Sequence, residues 1–344
     1  MKRWLVPLTF LTAAWLFIQP PAPAQSPNQF ERAYRKAWQL VADNYYRKDK
    51  LQGWSDWQHA FDGRIKDGEQ LRDALHKMLS SLDDEYTYVL SAADVAERTD
   101  EHGAASVVHC RRLRGNQGYI KIDNLCSRNV RREFHKAVSS LNGVSGFVID
   151  LRNNHGGFIS NAQQLFAMMA EQGTFMSYRG RSSGHPDAET ARLLPGKWRL
   201  RENGRQISRP RQPCLTAGRP LVVLVNEDTR SAAEMLAGAL RDNHLATIVG
   251  TRTYGKGVLQ NSYSLPAGIE IKVVTARYFL PDGANIHSKG INPDLYVESH
   301  IASAAADEQL QAAARVLDRD IARAGLAEQH AVAAAGDDEG IETR

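Results

Sequence analysis

Hydrophobic positions near the start of the chain recur at helical spacing. Residues 28–48 predict one amphipathic helix and residues 67–82 a second. The apolar stripe of the second helix comprises Leu71, Leu75, Met78, Leu79 and Leu82. Trp54 and Trp57 lie between the two helices and are expected to pack against them. Residues 83–88 break the helical pattern, so we predict an N-terminal helical subdomain over residues 25–100.

From about residue 119 the pattern changes to short apolar runs that alternate with helical segments. The runs at 144–151, 221–225, 246–249 and 269–274 predict buried strands, and residues 161–172 and 231–240 predict helices. Ser160 and Gly173 are expected to cap the first of these helices. The alternation predicts an α/β core over residues 101–300. A helix at 307–324, with fraying from residue 333, is expected in a C-terminal segment covering 301–344.

The first 24 residues have the pattern of an export signal. Lys2 and Arg3 precede an apolar stretch at 4–18, and Ala22-Pro23-Ala24 is a small-x-small cleavage signal. We expect cleavage after Ala24 and a periplasmic or secreted protein. The alternative is an uncleaved N-terminal anchor, which also places the body of the protein outside the cytoplasm.

Composition narrows the class of protein. Hydrophobic residues make up 42% and charged residues 24%, which excludes wholesale disorder and a collagen-like fibre. The net charge of +4 is too small to indicate a nucleic-acid partner. The three cysteines are too few for a disulfide scaffold, and they lack paired metal-ligand spacing. A disulfide between Cys110 and either Cys126 or Cys214 is possible, and the sequence does not choose between the two pairings.

A run of basic residues between the predicted strands has two interpretations. It comprises Arg192, Lys197, Arg199, Arg201, Arg205, Arg209 and Arg211. One interpretation is a peripheral contact with a membrane or an acidic activator. The other is a solvated loop or hairpin, which the surrounding prolines favour.

Ser231 is a candidate nucleophile. A buried strand at 221–225 is followed by a polar turn, and Ser231 comes at the start of the next predicted helix. Backbone N–H groups at a helix start are unpaired, so the N–H of Ala232 could receive an oxyanion that forms when Ser231 attacks a carbonyl. The alternative is a serine that only caps the helix.

Lys256 is a candidate base for this serine, in the segment TYGKGVLQ at 253–260. Burial disfavours the charged amine and can bring its pKa near ~7–8, where it accepts a proton. Gln260, four residues later, could orient the amine with its amide oxygen without adding a full charge. Alternatively, Gly-Lys-Gly is a turn with a solvated lysine.

A second oxyanion donor is expected after the strand at 144–151, in the segment DLRNNHGG at 150–157. The paired glycines, Gly156 and Gly157, allow backbone N–H groups to face a substrate. Asp150 and Arg152 are expected to hold the loop in place. The alternative is an ordinary glycine turn.

Taken together, these segments resemble the C-terminal processing, or tail-specific, serine proteases. The resemblance covers roughly residues 30–317 and includes the YFLPDG motif at 278–283 and the KGINPD motif at 289–294. Nucleophile and lysine are 25 positions apart in that family, as Ser231 and Lys256 are here. The resemblance implies a crotonase/Clp-protease-like α/β core, with Ser231 as nucleophile, Lys256 as base and Gln260 orienting the base. It assigns the oxyanion hole to Ala232 and Gly156, and it implies polypeptide substrates and no metal or organic cofactor.

This chain departs from the family pattern in three places. Arg230 precedes the nucleophile where a small residue is usual, and Ala233 replaces a common serine. About 28 residues separate Leu90 from Tyr119, too few for the PDZ domain of the family, so we predict a member without it. These departures keep open a non-catalytic protein that binds peptides or an apolar ligand on the same core. The oligomeric state stays open.

Overall fold

The computed structural model of the chain describes residues 28–90, 106–202, 205–211, 213–298 and 307–338. The predicted export signal lies outside these residues. The strands are β1 (Tyr88–Val89), β2 (Val108–Arg112), β3 (Gln117–Ile122), β4 (Gly146–Asp150), β5 (Gly173–Ser182), β6 (His185–Leu194), β7 (Lys197–Glu202), β8 (Arg205–Pro210), β9 (Leu221–Val225), β10 (Ala246–Gly250), β11 (Val258–Ser264), β12 (Glu270–Phe279) and β13 (Leu295–Tyr296). The helices are α1 (Gln29–Asn44), α2 (Gly68–Ser80), α3 (Val130–Ser140), α4 (Ile159–Met169), α5 (Ala232–Asp242) and α6 (Glu308–Asp338).

The central sheet has the strand order β13-β10-β9-β4-β3-β2. β2 runs antiparallel to β3, and the other neighbouring strands are parallel. All residues of β4 and β9 are buried, because helices cover both faces of the sheet. Helices α3, α4 and α5 pack on one face, and α6 packs on the other through Ala313 and Leu317. The parallel sheet places the carboxyl ends of β4, β9 and β10 side by side.

A second, antiparallel sheet has the order β1-β12-β5-β6-β7-β8, with β11 paired to β12. Helices α1 and α2 pack their apolar stripes on the β11–β12 hairpin, where Ile271 and Val273 are fully buried. Trp54 lies in the same core, as expected. The N-terminal helices therefore share a hydrophobic core with strands that follow Lys256 in the sequence.

The predicted α/β class is confirmed, and β4, β9 and β10 form close to their expected limits. The strand predicted at 269–274 also forms, but it continues to Phe279. The predicted caps of α4 are wrong. This helix begins at Ile159, and its N-cap is Phe158, two residues before Ser160. Gly157 pairs with Leu125, and the Phe158 N–H donates to the Leu125 carbonyl at 3.0 Å, which fixes the start of the helix there. Gly173 starts β5, where a side chain would collide with Asn243. The C-terminal helix extends to Asp338, beyond the predicted onset of fraying at residue 333.

The remaining predictions have separate outcomes. The basic run lies along the antiparallel strands β6, β7 and β8, which form successive hairpins, as the second interpretation expects; Arg211 follows β8. Cys110, Cys126 and Cys214 form no disulfide within the described residues. Positions 91–105, within the interval where a PDZ domain would be inserted, lie outside the described residues, so the absence of that domain stays a prediction. None of the described helices combines the length and the apolar character that a membrane crossing requires.

Candidate active site

Three loops meet at the carboxyl edge of the central sheet. Residues 151–157 follow β4, residues 226–231 follow β9, and residues 251–257 follow β10; we call the first the glycine loop and the last the lysine loop. Because β4, β9 and β10 are adjacent and parallel, their loops emerge together, which is the usual position of a site in an open α/β sheet. Ser231, Lys256 and the paired glycines therefore occupy one region.

Ser231 lies directly before α5 in an unfavourable backbone conformation. Its φ of 58° and ψ of −123° are rarely adopted by a residue with a side chain. Three hydrogen bonds hold it there: its N–H donates to Glu234 at 2.9 Å, and its carbonyl accepts from the Met235 N–H at 3.0 Å and from the Tyr278 hydroxyl at 3.4 Å. The hydroxyl group thus projects from the start of a helix that is buried along its whole length as far as Leu240.

Glu234 connects the nucleophile to the lysine loop. Its side chain is fully buried and accepts hydrogen bonds from the Ser231 N–H, the Thr253 hydroxyl, and the backbone N–H groups of Gly255 and Lys256. The N–H groups of Ser231 and Lys256 both donate to the same oxygen, Oε2, at 2.9 Å. Their nitrogens are therefore no more than two hydrogen-bond lengths apart. The four hydrogen bonds favour the charged form of Glu234 and lower its pKa. Burial has the larger effect, so the pKa of this carboxyl is raised overall.

Lys256 lies in an environment that disfavours its charge. Burial, the largest cause, and the positive charges of Lys272 and Arg230 together lower its pKa to about 8, while the negative charges of Glu85 and Glu234 act in the opposite direction. Its ammonium nitrogen is 5.2 Å from the ring centroid of Tyr86. A fraction of the amine is therefore neutral at physiological pH, which a general base requires.

Gln260 lies on β11 and contacts the same residue as the lysine. Its side-chain nitrogen donates to the Tyr86 carbonyl at 2.5 Å, which leaves the amide oxygen as its free acceptor. Lys256 precedes the strand, so strand periodicity does not relate the two side chains; what they share is a contact with Tyr86, the lysine with its ring and the glutamine with its carbonyl. Tyr86 was missed in the sequence because nothing in residues 83–88 connects it with a lysine 170 positions later.

The glycine loop lies against the nucleophile. A side chain on Gly156 would be 2.7 Å from the Arg230 carbonyl oxygen and 3.0 Å from the Ala232 nitrogen. However, the Gly156 N–H already donates to Asn154 Oδ1 at 2.9 Å, which argues against its predicted use as an oxyanion donor. The Gly156 carbonyl accepts a hydrogen bond from the Leu125 N–H, and the Phe158 N–H donates to the Leu125 carbonyl. Because Gly157 lies between these two bonds, its own N–H is directed away from Leu125. Within the described residues, the N–H groups of Gly157 and Ala232 donate to no protein acceptor.

The hydroxyl of Ser231 and the amine of Lys256 do not form a hydrogen bond with each other in the described part of the chain. The backbone of the two residues is close, but the amine lies over the Tyr86 ring.

Comparison with known proteins agrees with this arrangement. The family model Peptidase family S41 matches residues 116–297, which include all three loops. A carboxyl-terminal-processing protease of Synechocystis sp. is 36% identical over 212 residues, covering 60% of this chain and 44% of that protein. A carboxy-terminal-processing protease of Bartonella bacilliformis is 26% identical over 253 residues, covering 71% and 54%. The chain thus spans about half the length of these curated relatives.

The structure of a photosystem II D1 C-terminal processing protease has the same fold. It aligns with a TM-score of 0.61 and 21% sequence identity, covering 86% of this chain and 99% of that one. The family model spans more than half of the chain, and the loops that it includes are those assembled at the sheet edge. This chain belongs to Peptidase family S41.

Proposed function

We propose that this chain is a serine–lysine endopeptidase that cleaves peptide bonds in exported or misfolded proteins. The observation that carries the proposal is the buried Glu234 carboxylate, which binds the backbone of both Ser231 and Lys256. It holds a candidate nucleophile beside a lysine whose pKa is lowered to about 8. The family membership and the curated relatives support a proteolytic reaction.

The proposed mechanism is acyl transfer. The neutral Lys256 amine takes the proton from Ser231 Oγ as that oxygen attacks the peptide carbonyl carbon. The C–N bond breaks when the ammonium returns a proton to the leaving amine, and an acyl-enzyme remains on Ser231. Water, deprotonated by the same lysine, then releases the acyl group. Gln260 orients the amine with its free amide oxygen.

The oxyanion of each tetrahedral intermediate needs two donors. We assign the first to the Ala232 N–H, which has no protein acceptor among the described residues. We assign the second to the Gly157 N–H in place of Gly156, whose N–H is already bonded to Asn154. Donors that are fixed before the reaction stabilise the developing charge without reorganisation.

Location and substrate form part of the same proposal. The predicted export signal places the protein in the periplasm or outside the cell. A cavity of about 300 Å³ is lined by Tyr86, whose ring Lys256 contacts, and by Asp83, Asp84, Glu85 and His287, and it offers space for a substrate side chain. We propose polypeptides as the substrates. We also propose that the basic face of β6–β8 makes a peripheral contact with a membrane or an acidic activator.

The test compares the purified protein with Ser231→Ala and Lys256→Ala on an unfolded protein substrate. We expect cleavage, and labelling by a serine-reactive fluorophosphonate, from the wild type alone. Ser262→Ala and Lys289→Ala change exposed residues of the same types and serve as matched controls that retain cleavage. Saturable binding of peptide without cleavage by all variants would instead support a non-catalytic binding protein, which the missing serine–lysine hydrogen bond favours.

A further inference from the structure

Arg230 occupies the position next to the nucleophile, and its backbone is firmly held. Its N–H donates to the Asn154 carbonyl at 3.0 Å, and its own carbonyl accepts from the Ala233 N–H at 3.2 Å. That carbonyl also lies against Gly156. The side chain of Arg230 therefore begins at a fixed point between the glycine loop and the start of α5.

The guanidinium of Arg230 stacks on an aromatic ring of the lysine loop. Its central carbon is 5.4 Å from the ring centroid of Tyr254, whose side chain is 44% exposed. The Tyr254 N–H donates to the Thr229 carbonyl at 3.1 Å, so the ring is attached to the segment that carries Arg230. Stacking uses the face of a guanidinium and leaves the N–H donors on its edge available for a planar anion.

No carboxylate neutralises Arg230 within the described residues. Arg152, on the neighbouring loop, has two carboxylate partners, Asp150 and Asp307. Glu234, four residues after Arg230, directs its oxygens to three backbone N–H groups and the Thr253 hydroxyl. A partly exposed, stacked guanidinium beside a nucleophile therefore lacks a protein counterion.

We propose that Arg230 binds a carboxylate of the substrate next to the scissile bond. That carboxylate is either an Asp or Glu side chain or the free end of the polypeptide, since both offer the same planar pair of oxygens. The inference rests on the proposed peptidase function of Ser231 and names the substrate class for that site. It gives a role to a residue that the catalytic mechanism does not use.

The position of the positive charge also suits a peptidase with a neutral base. Arg230 is close enough to lower the pKa of Lys256, after the larger effect of burial. A substrate carboxylate at Arg230 would lie near the base without replacing Gln260. A basic substrate residue at the same position would be repelled by the positive charge of Arg230.

The experiment profiles cleavage of a peptide library by wild type, Arg230→Gln, Arg230→Lys and Arg230→Glu. Each peptide is offered with Asp, Asn, Lys or Arg near the cleaved bond and with a free or amidated C-terminus, so that the two carboxylate sources are separated. For the preferred acidic peptide, Arg230→Gln should raise KM about tenfold or more, as expected for a lost charged hydrogen bond. The KM for the matched neutral peptide should change less than about twofold. Arg230→Glu should reverse the preference toward Lys or Arg.

Three further measurements make the result decisive. Arg252→Gln, which changes an exposed arginine of the lysine loop, should keep the wild-type preference. Thermal unfolding of each variant shows that it is folded, and Arg230→Lys should retain part of the preference through its charge. Binding of the paired peptides to Ser231→Ala, with and without Arg230→Gln, measures carboxylate recognition independently of cleavage.

The outcomes separate the two proposals. A wild-type enzyme that cleaves acidic and neutral peptides equally, or a preference that survives in Arg230→Gln, overturns the role of Arg230 and leaves the peptidase intact. If the wild type shows no cleavage that depends on Ser231, the proposed peptidase function is wrong. In that case the binding measurement still decides whether Arg230 recognises a carboxylate.

Discussion

At the scale of single residues, one buried carboxylate organises the candidate site. Glu234 accepts four hydrogen bonds and brings together segments that are more than twenty positions apart in the chain. A buried charge is tolerated when its hydrogen bonds are satisfied, and removing its acceptor character leaves buried N–H groups without partners. Glu234 thus acts as a positioning residue through the backbone of Ser231 and Lys256.

Glu234→Gln should lower the free energy of unfolding by about 2–3 kcal/mol and reduce kcat, because the amide cannot accept all four hydrogen bonds. Urea denaturation and steady-state kinetics measure the two effects. Glu227→Gln is a matched control, since this exposed glutamate accepts a hydrogen bond from Thr251 at 2.8 Å between the same two segments. The control should change stability by less than about 0.5 kcal/mol. Equal effects of the two substitutions would contradict the role given to Glu234.

The pH dependence of kcat/KM should follow Lys256. Only the neutral amine accepts the serine proton, so activity should rise as the pH increases through about 8 and then level off. Arg230→Gln removes a positive charge that lowers this pKa, so the rise should move to higher pH, whereas Arg252→Gln should leave it in place. A profile that is flat between about pH 6 and 9 in the wild type would contradict a lysine base that titrates in this range.

At the scale of elements, the site is a product of strand ends and not of any one motif. The glycine loop packs so closely on the nucleophile segment that Gly156 leaves no space for a side chain. Elsewhere, Gly283 has nearly the same φ, 86° against 87°, but a side chain there would meet nothing within 4 Å. The two glycines therefore separate the effect of backbone conformation from the effect of crowding.

Gly156→Ala and Gly283→Ala should both lose about 1–2 kcal/mol of stability, because a positive φ is unfavourable for alanine. Gly156→Ala should in addition lower kcat at least about tenfold, since its methyl group displaces the Arg230 carbonyl or the Ala232 N–H. Thermal unfolding and kinetics measure the difference. A Gly156→Ala enzyme with the kcat of Gly283→Ala would show that this contact does not position the site.

At the scale of the whole molecule, distant parts of the chain support the same sheet edge. Asp307, beside the first turn of α6, and the buried Asp150 both bind the guanidinium of Arg152 on the glycine loop. The N-terminal helices pack on the hairpin that carries Gln260. Both ends of the described chain are thus connected to the candidate site.

Arg152→Ala should destabilise the protein by about 3–5 kcal/mol, because it leaves the buried Asp150 without its cation. Arg319→Ala removes an arginine whose side chain is 52% exposed and paired with Asp320 on the same helix, and it should cost less than about 1 kcal/mol. Urea denaturation compares the two variants. If Arg152→Ala were no more destabilising than Arg319→Ala, the ion-pair cluster would not anchor α6 to the glycine loop.

Much of this organisation follows from local patterns in the sequence. The apolar runs of β4, β9 and β10 and the stripes of α1 and α2 are decided by burial and periodicity, which act over short segments. The strand, turn and helix around Ser231 were likewise predictable from the sequence, because a buried strand must be followed by a connection to the next layer. The ordered motifs also sufficed for the family resemblance.

The tertiary structure decided what depends on contacts between distant segments. The contact of Tyr86 with both Lys256 and Gln260, and the bond that occupies the Gly156 N–H, are set by sheet order and by neighbours that no spacing rule reports. The caps of α4 were mispredicted for the same reason, since pairing with Leu125 outweighed the local preference of Ser160. Short-range hydrophobic patterning determines which elements form, whereas the identity of the partner at each polar group is determined only when the elements pack.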